Sequence, residues 1–333
     1  MMPRRPLCAL VGVLALAAAC SLTLSGTISA YTGSATTASN SFTAADDFTA
    51  PVAAAAAVGR STAYDTGFIK QAATYYVYAS VGDTGNPASG IASVATNVSS
   101  ITSGDTAVTL TAGSYSAGGT AYNYRSAALT AAASLTAGSK SYTITSTDNA
   151  ANAATQSFTT VVDNTAPTAV DVQSTNVSGG TVGHLDVGDT LTLTYSGIID
   201  PYSILAGWTG AATGVEVTLT DGGVANDSVK ISTAVASPVQ LPLGTIALGS
   251  KGYLTTGTGN TVTYGAVGSA TPTTMTRTGS SITITLGTPS GPSSTSTTPA
   301  AMTWTPSTSA TDIAGNATAT TAATQSGVVH ANF

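Results

Sequence analysis

The sequence contains very little charge: Asp, Glu, Lys and Arg together make up 7% of its 333 residues, against roughly 25% in an ordinary soluble protein. Lys and Arg number nine against fifteen Asp and Glu, so the chain is acidic and has no basic cluster. Binding to nucleic acid or to an anionic membrane surface depends on clustered Lys and Arg. We therefore expect neither as a partner. Thr, Ala, Ser and Gly take the place of charge, and at 42% hydrophobic residues the composition is not that of a disordered chain.

Cysteine and glutamate are also scarce. Cys8 and Cys20 are the only cysteines, so no disulfide can form after position 20 and stability must come from packed cores. With two His and no further Cys, a zinc site is not expected. Glu216 is the only Glu, and it alternates with Val215 and Val217, which predicts a solvated side chain on the outward face of a strand rather than one member of a glycosidase pair.

The N-terminus has the pattern of an export signal. Arg4 and Arg5 form a positive region, and an apolar run from Leu7 to Leu24 follows them. Cleavage after Ala30, at a small-residue site, would release a free secreted chain. Two alternatives remain open, namely a lipid-modified Cys20 and an uncleaved membrane anchor. We predict a secreted or extracellular cell-surface protein with no membrane insertion after signal cleavage.

Apolar and polar residues alternate with a period of two through most of the remaining chain, which is typical of half-buried β-strands. No helical periodicity of useful length is present. The sequence therefore predicts an all-β fold of antiparallel β-sandwiches, with Thr on the solvent-facing side of the strands. The clearest alternating core positions are Tyr142 and Ile144, then Leu191, Leu193 and Tyr195, then Val215, Val217 and Leu219, and finally Ile282, Ile284 and Leu286.

Two short phrases occur twice. Asp-x-Thr-Ala-Pro spans Asp47–Pro51 and Asp163–Pro167, while a Thr-Asp-x-Ala-x-Asn-Ala phrase spans Thr147–Ala153 and Thr311–Ala317. Asp and Asn side chains bond local backbone in turns, and Pro stiffens a junction. Together the phrases indicate the last hairpin of one domain and the entry to the next. The predicted organisation, in residue numbers, is a signal peptide at 1–30, a linker at 31–50 and sandwich domains at 51–165 and 166–333.

Parts of the sequence resemble three known families. Gly90–Val94, with the closing Asp-x-Thr-Ala-Pro, resembles bacterial Ig-like repeats, while Asp186–Ser196 and Asp200–Trp208 resemble the S-layer-type Ig-like domain of secreted actinobacterial proteins. Gly26–Thr32 and Ser39–Ala44 are similar to the start of SipW-dependent exported proteins of the TasA/camelysin type. These resemblances imply tandem Ig-like domains in a bacterial cell-surface protein.

Calcium is the one metal that the sequence suggests. Asp and Asn oxygens suit a hard cation, and Ig-like junctions often hold one. No EF-hand spacing is present, and turn chemistry alone also explains these residues. No other cofactor is predicted. The candidate ligands are Asp148, Asn152 and Asp163 around the first junction, and Asp221, Asn226 and Asp227 in a loop of the second domain.

Tyrosines concentrate in the first predicted domain, where an exposed row of rings could stack on sugars. Tyr76, Tyr122 and Tyr124 are the candidate glycan contacts. His184 lies two residues before Asp186 in a Ser-rich chain, so the residue types of a Ser-His-Asp triad are all present. No Gly-x-Ser-x-Gly elbow supports it, and we expect His184 to be a solvated loop residue.

These observations predict a non-catalytic structural or adhesive protein. Ig-like modules space, hold and adhere, and fold alone does not assign a more specific function. The expected partners are cell-wall or matrix polymers or other surface proteins. The alternative is a carbohydrate-binding module for a surface polysaccharide.

Overall fold

The structure, a computed structural model, describes residues 47–327, 331 and 333, together with strand residues 36, 37, 40 and 41. The predicted signal peptide, including Cys20, lies outside the described residues, as does most of the predicted linker. Strands hold 43% of the residues and helix 1%, so the predicted all-β class is confirmed. No helix in the described part of the chain has the length and apolar character needed to cross a membrane.

The elements follow one another along the chain as β1 (Thr36–Thr37), β2 (Asn40–Ser41), β3 (Val52–Gly59), β4 (Phe68–Ile69), β5 (Thr74–Gly82), β6 (Ile91–Asn97), β7 (Val108–Ala117), β8 (Thr120–Ser126), β9 (Leu129–Thr130), β10 (Gly138–Asp148), β11 (Ala153–Val162), β12 (Ala169–Thr175), β13 (Thr190–Tyr195), α1 (Pro201–Ile204), β14 (Thr213–Thr220), β15 (Ser228–Thr233), β16 (Thr245–Ala247), β17 (Thr261–Tyr264), β18 (Thr273–Thr278), β19 (Ser281–Thr285), β20 (Thr303–Thr305) and β21 (Ala323–Thr324).

Strands β3 to β11 form the first body. Their hydrogen-bonded order is β3-β5-β8-β7-β6-β10-β11-β4, with β9 beside β5. Strand β7 pairs with β8 and also with β6, and so connects the two layers of a sandwich. All of these pairs are antiparallel except β4 with β11. A single core lies between the layers and is built from alternate residues such as Tyr75, Val77, Tyr142 and Ile144.

Strands β12 to β21 form the second body, in the order β12-β13-β19-β18-β14-β15-β16-β20-β21, with β17 beside β14. Its core is larger and separate from that of the first body. Trp304 is fully buried there, packs edge-on against Tyr195 with 4.7 Å between ring centroids, and donates its indole N–H to the Leu243 carbonyl at 2.7 Å. The strands of the two bodies divide between Val162 and Ala169, next to the junction that the repeated phrases predict.

The alternation predicted the core residues correctly but failed at Glu216. Val215, Val217 and Leu219 are buried as expected. Glu216 was expected on a solvated face, yet it is 6% exposed, and burial raises the pKa of its carboxyl. β14 is an interior strand of the sheet, with β15 on one edge and β17 and β18 on the other, and the alternation in the sequence does not show that its second face is covered too.

Candidate functional site

The repeated phrases fold into the same side-chain arrangement in both bodies, which we call the Asp–Asn clamp. In the first body Asp148 accepts the backbone N–H of Asn152 at 2.8 Å and the amide of the same residue at 2.8 Å. The Asn152 amide also donates to the backbone carbonyl of Asp47 at 3.0 Å. Asp47 in turn accepts the N–H of Thr49 at 2.8 Å. The clamp therefore ties the final hairpin to the chain entering the body, and it places Asp47 in the body rather than in a free linker.

The second body repeats every one of these bonds. Asp312 accepts the backbone N–H and the amide of Asn316 at 2.7 and 2.9 Å. The Asn316 amide donates to the Asp163 carbonyl at 2.9 Å, and Asp163 accepts the N–H of Thr165 at 2.9 Å. The recurrence of the sequence is therefore a recurrence of structure.

A third carboxylate stands beside each clamp, in the loop that follows the second long strand of the body. Asp83 comes directly after β5 and accepts the N–H groups of Gly85 and Gly90. Asp200 follows β13, caps α1 through the N–H of Tyr202 at 3.2 Å, and is 1% exposed. The two ends are thus alike in their acidic groups, and they differ in what these groups contact.

At the second clamp, a guanidinium group from the first body contacts the acidic groups. Arg60 donates to the Asp200 carboxylate at 3.0 Å and to the Asp312 carbonyl at 3.4 Å. The backbone N–H of Tyr64 donates to the other Asp200 oxygen at 3.0 Å. Burial raises the pKa of Asp200, whereas the Tyr64 hydrogen bond and the charge of Arg60 lower it. Two contacts from one body therefore hold one buried carboxylate of the other, and a third reaches the Asp312 carbonyl beside it.

A glycine makes room for that guanidinium. A Cβ on Gly315 would lie 2.5 Å from an Arg60 nitrogen, and the residue has a φ of +94°. The corresponding position in the first clamp is Ala151, whose φ is also positive and which occupies the same turn, since each residue donates its N–H to the carbonyl of the clamp aspartate. The Ala-to-Gly difference between the two phrases is thus explained by the approach of Arg60.

Two further cations cross the junction. Arg277 of the second body donates to Asp65 of the first through a short ion pair of 2.6 Å, and to the Ile199 carbonyl at 3.0 Å. Lys70 of the first body donates to the Gly315 carbonyl at 2.6 Å. Because the ion pairs run in both directions, the two bodies are locked by reciprocal contacts.

The first clamp gathers three carboxylates. One oxygen each of Asp47, Asp83 and Asp148 lies within 4.8 Å of the others. Hydrogen bonds from the backbone N–H groups of Thr49 and then Ser89 lower the pKa of Asp47, which favours its charged form. The structure therefore brings two of the calcium candidates, Asp148 and its partner Asn152, to an acidic end to which Asp47 and Asp83 also belong. The latter two were missed, although Asp47 begins the repeated phrase.

The predicted calcium role can be tested at this end. We expect millimolar calcium to raise the melting temperature relative to EDTA, because an ion that binds only the folded state stabilises it. Asp83→Asn should abolish that rise, whereas Asp105→Asn, a change in a turn away from the clamp, should retain it. Equal responses of the two variants in differential scanning calorimetry would contradict a calcium site here.

The remaining calcium candidates have structural roles in the second body. Asp227 is fully buried and accepts four backbone N–H groups, from Gly222, Gly252, Tyr253 and Leu254 at 2.9 to 3.2 Å. Asp221 accepts two more, and Asn226 is exposed between them. Asp163 belongs to the second clamp, so the six candidates do not form one site.

The candidate glycan tyrosines are largely used in internal packing. Tyr122 is 8% exposed, and Tyr124 packs against the first core. The guanidinium of Arg125 lies 4.9 Å from the ring centroid of Tyr76 and 4.5 Å from that of Tyr115, so a cation already covers one face of each ring. Glycan binding stays a prediction. The three candidate tyrosines do not form a row of exposed rings that could stack on sugars.

His184, expected to be a solvated loop residue, lies in a turn with a partly exposed side chain and takes part in a side-chain relay. Its Nδ1 lies 2.9 Å from the Asp186 carboxylate and its Nε2 lies 3.0 Å from the hydroxyl of Ser293. The side chains of His184 and Asp186 are 27% and 29% exposed. Ser293 comes from the Ser-rich loop before β20, and no local pattern in the sequence signals this contact.

No family model matches the chain, and no match was found among curated proteins or solved structures. The functional interpretation therefore depends on the geometry of the junction and of the relay.

Proposed function

We propose that this chain is a structural or adhesive element of a bacterial cell surface, built from two Ig-like sandwiches that act as one stiff unit. The observation that carries the proposal is how the chain uses its few cations. Nine Lys and Arg occur in the sequence and two of them, Arg4 and Arg5, lie in the predicted signal. Of the seven others, Arg60, Lys70 and Arg277 all serve the junction.

Holding two bodies in one orientation is what a spacer needs. Interfaces between domains are commonly mobile unless they are extensive. Here, part-buried ion pairs and the ring contact of Tyr64 with Tyr202, 5.6 Å between centroids, connect the two bodies. The Thr-rich, weakly charged outer faces disfavour nonspecific ionic binding. Cell-wall or matrix polymers, or other surface proteins, are the proposed partners.

Stiffness can be measured by electron paramagnetic resonance, which gives the distribution of distances between two spin labels. Because Cys8 and Cys20 lie in the predicted signal, the exported chain carries labels only at introduced cysteines. We expect labels at exposed Thr111 and Val267 to give one narrow distance distribution. Arg277→Met should broaden it, whereas Lys230→Met, on exposed β15 surface, should not. A broad distribution in the unaltered chain would contradict the spacer function.

Surface location needs a separate measurement. We expect the chain in the medium or in the cell envelope of its own cells, with an intact mass that begins after residue 30. A chain found only in the cytoplasm with residues 1–30 intact would contradict the proposal. Retention on purified cell-wall or matrix polymer in a sedimentation assay, against a non-adhesive protein of similar charge, tests adhesion itself.

A further inference from the structure

We propose that Ser293, His184 and Asp186 form a reactive-serine site that cleaves short, neutral carboxylic esters at the surface of the second body. This activity is separate from the proposed spacer function, and it departs from the expectation that the chain has no catalysis. The relay has the order of a nucleophile, a base and an orienting carboxylate, with both linking distances at hydrogen-bond length. That order is recognised by geometry and not by sequence position.

The carboxylate determines which tautomer of the imidazole is present. An ionised Asp186 can only accept hydrogen bonds, so His184 Nδ1 must carry the proton that it shares with Asp186. Nε2 is then an acceptor directed at the Ser293 hydroxyl, as a general base must be. Asp186 is itself held, because it accepts the N–H of Thr181 and its own N–H donates to Asp189 at 2.7 Å.

The serine is equally well positioned. Backbone bonds fix its loop on both sides, from Ser290 to Thr263, from Ser294 to Tyr253 and from Ser296 to Gly183, at 2.7 to 2.8 Å. The last of these joins the serine loop directly to the residue before His184. The nucleophile and the base are therefore held on mutually bonded loops, which keeps the reacting groups in register.

Polar groups remain available beside the Ser293 hydroxyl. Tyr264 is fully buried, and its hydroxyl has no hydrogen-bond partner among the described residues. Burial raises the pKa of Tyr264 and the adjacent Ser293 side chain partly offsets this, so the phenol stays a neutral donor next to the nucleophile. No hydrogen bond within the described residues uses the backbone N–H of Ser293. The backbone N–H of Ser293 suits an oxyanion that develops at this position.

The surroundings also select the substrate class. Asp186 and the nearby Asp189 are both acidic, which disfavours an anionic substrate. Ser293 and His184 are partly exposed on surface loops, so a small acyl group can reach them. Short-chain esters of neutral alcohols meet both conditions.

The reaction balances with an ester and water alone. Ser293 Oγ attacks the ester carbonyl carbon while its proton passes to His184 Nε2. The ester C–O bond breaks, His184 returns the proton to the departing alcohol, and the acyl group stays on Ser293. Water then gives a proton to His184 and attacks the acyl-serine, releasing the carboxylic acid and restoring the Ser293 hydroxyl.

The test uses the full chain with p-nitrophenyl acetate as substrate and a fluorophosphonate as covalent probe. Peptide mass mapping should locate the adduct on Ser293 in the native chain and lose it after denaturation in urea. His184→Gln should slow labelling by about 100-fold or more, in line with loss of a general base. Thr297→Ala, which removes an exposed hydroxyl from the same loop, should label at the rate of the unaltered chain.

The outcomes that would overturn the proposal are equally definite. They are the absence of any adduct on the native chain, an adduct at another residue, or labelling of His184→Gln at an unchanged rate. Because the adduct is mapped on the unaltered chain, a folding defect in a variant cannot imitate a positive result. Thermal unfolding of each variant accompanies the rates.

Discussion

Asp227→Ala is expected to destabilise the second body by at least about 4 kcal/mol, because it removes the acceptor for four N–H groups in a fully buried site and each unsatisfied donor costs roughly 1–3 kcal/mol. A typical domain is stable by only about 5–15 kcal/mol. The variant therefore loses much or all of the folding stability of its second body.

The measurement is urea unfolding followed by tryptophan fluorescence. Trp208 and Trp304 are the only tryptophans in the chain, and both lie in the second core, so the signal reports that body alone. Asn226→Ala is the matched control, since this neighbour in the same loop is exposed and should change stability by no more than about 0.5 kcal/mol.

The same experiment separates a structural role of Asp227 from a metal-binding one. A carboxylate whose oxygens already accept four N–H groups needs no calcium, so EDTA should leave unfolding of the unaltered second body unchanged. A loss below about 1 kcal/mol in Asp227→Ala, or destabilisation by EDTA as large as that of the variant, would contradict the assigned role.

Local patterns in the sequence predicted what depends on local physics. The period-two alternation located Leu191, Leu193 and Tyr195 in the core, because a strand turns successive side chains to opposite faces. The repeated phrases likewise predicted a turn stabilised by Asp148 and Asn152, since Asx side chains bond backbone a few residues away.

The contacts that define the candidate sites could not be predicted in this way. Arg60 and Asp200 are 140 residues apart, and Ser293 and His184 are 109 apart. Such pairs depend on how whole loops and bodies pack, and no periodicity records that. Gly315 is a local trace of the contacts at the junction, since it replaces the alanine of the first phrase, but its meaning depends on the guanidinium that approaches it.

The pair of Arg60 and Asp200 leads to the second prediction. Arg60→Met should reduce the stability of the second body by about 3 kcal/mol at neutral pH, because removing one partner leaves a buried charge uncompensated. Asp200 is 1% exposed and the Arg60 side chain is 16% exposed, so water can replace little of the lost contact. Lys230→Met removes an exposed cation of the second body itself and should cost little.

A double-mutant cycle isolates the interaction itself. Once Asp200→Asn has removed the charge, Arg60→Met should cost much less than it does alone, and the difference gives the coupling energy. Additive losses from the two substitutions would show that Arg60 stabilises the junction by packing and not by pairing.

The pH dependence of stability gives an independent test of whether Arg60 compensates the charge of Asp200. Burial is the largest influence on Asp200 and raises its pKa above the ordinary 3.8, so the folded chain binds this proton at a higher pH than the unfolded chain does. Taken alone, the Asp200 carboxyl therefore contributes most to stability below pH 3.8, its ordinary pKa. That contribution is lost as the pH rises through the raised pKa of the folded state. Arg60 offsets that loss. The deficit of Arg60→Met should accordingly be largest at neutral pH and should shrink at acidic pH, as the pH falls through the raised pKa and Asp200 becomes protonated and needs no cation. A deficit of the same size at both pH values, from urea unfolding, would mean that the guanidinium does not compensate this carboxylate.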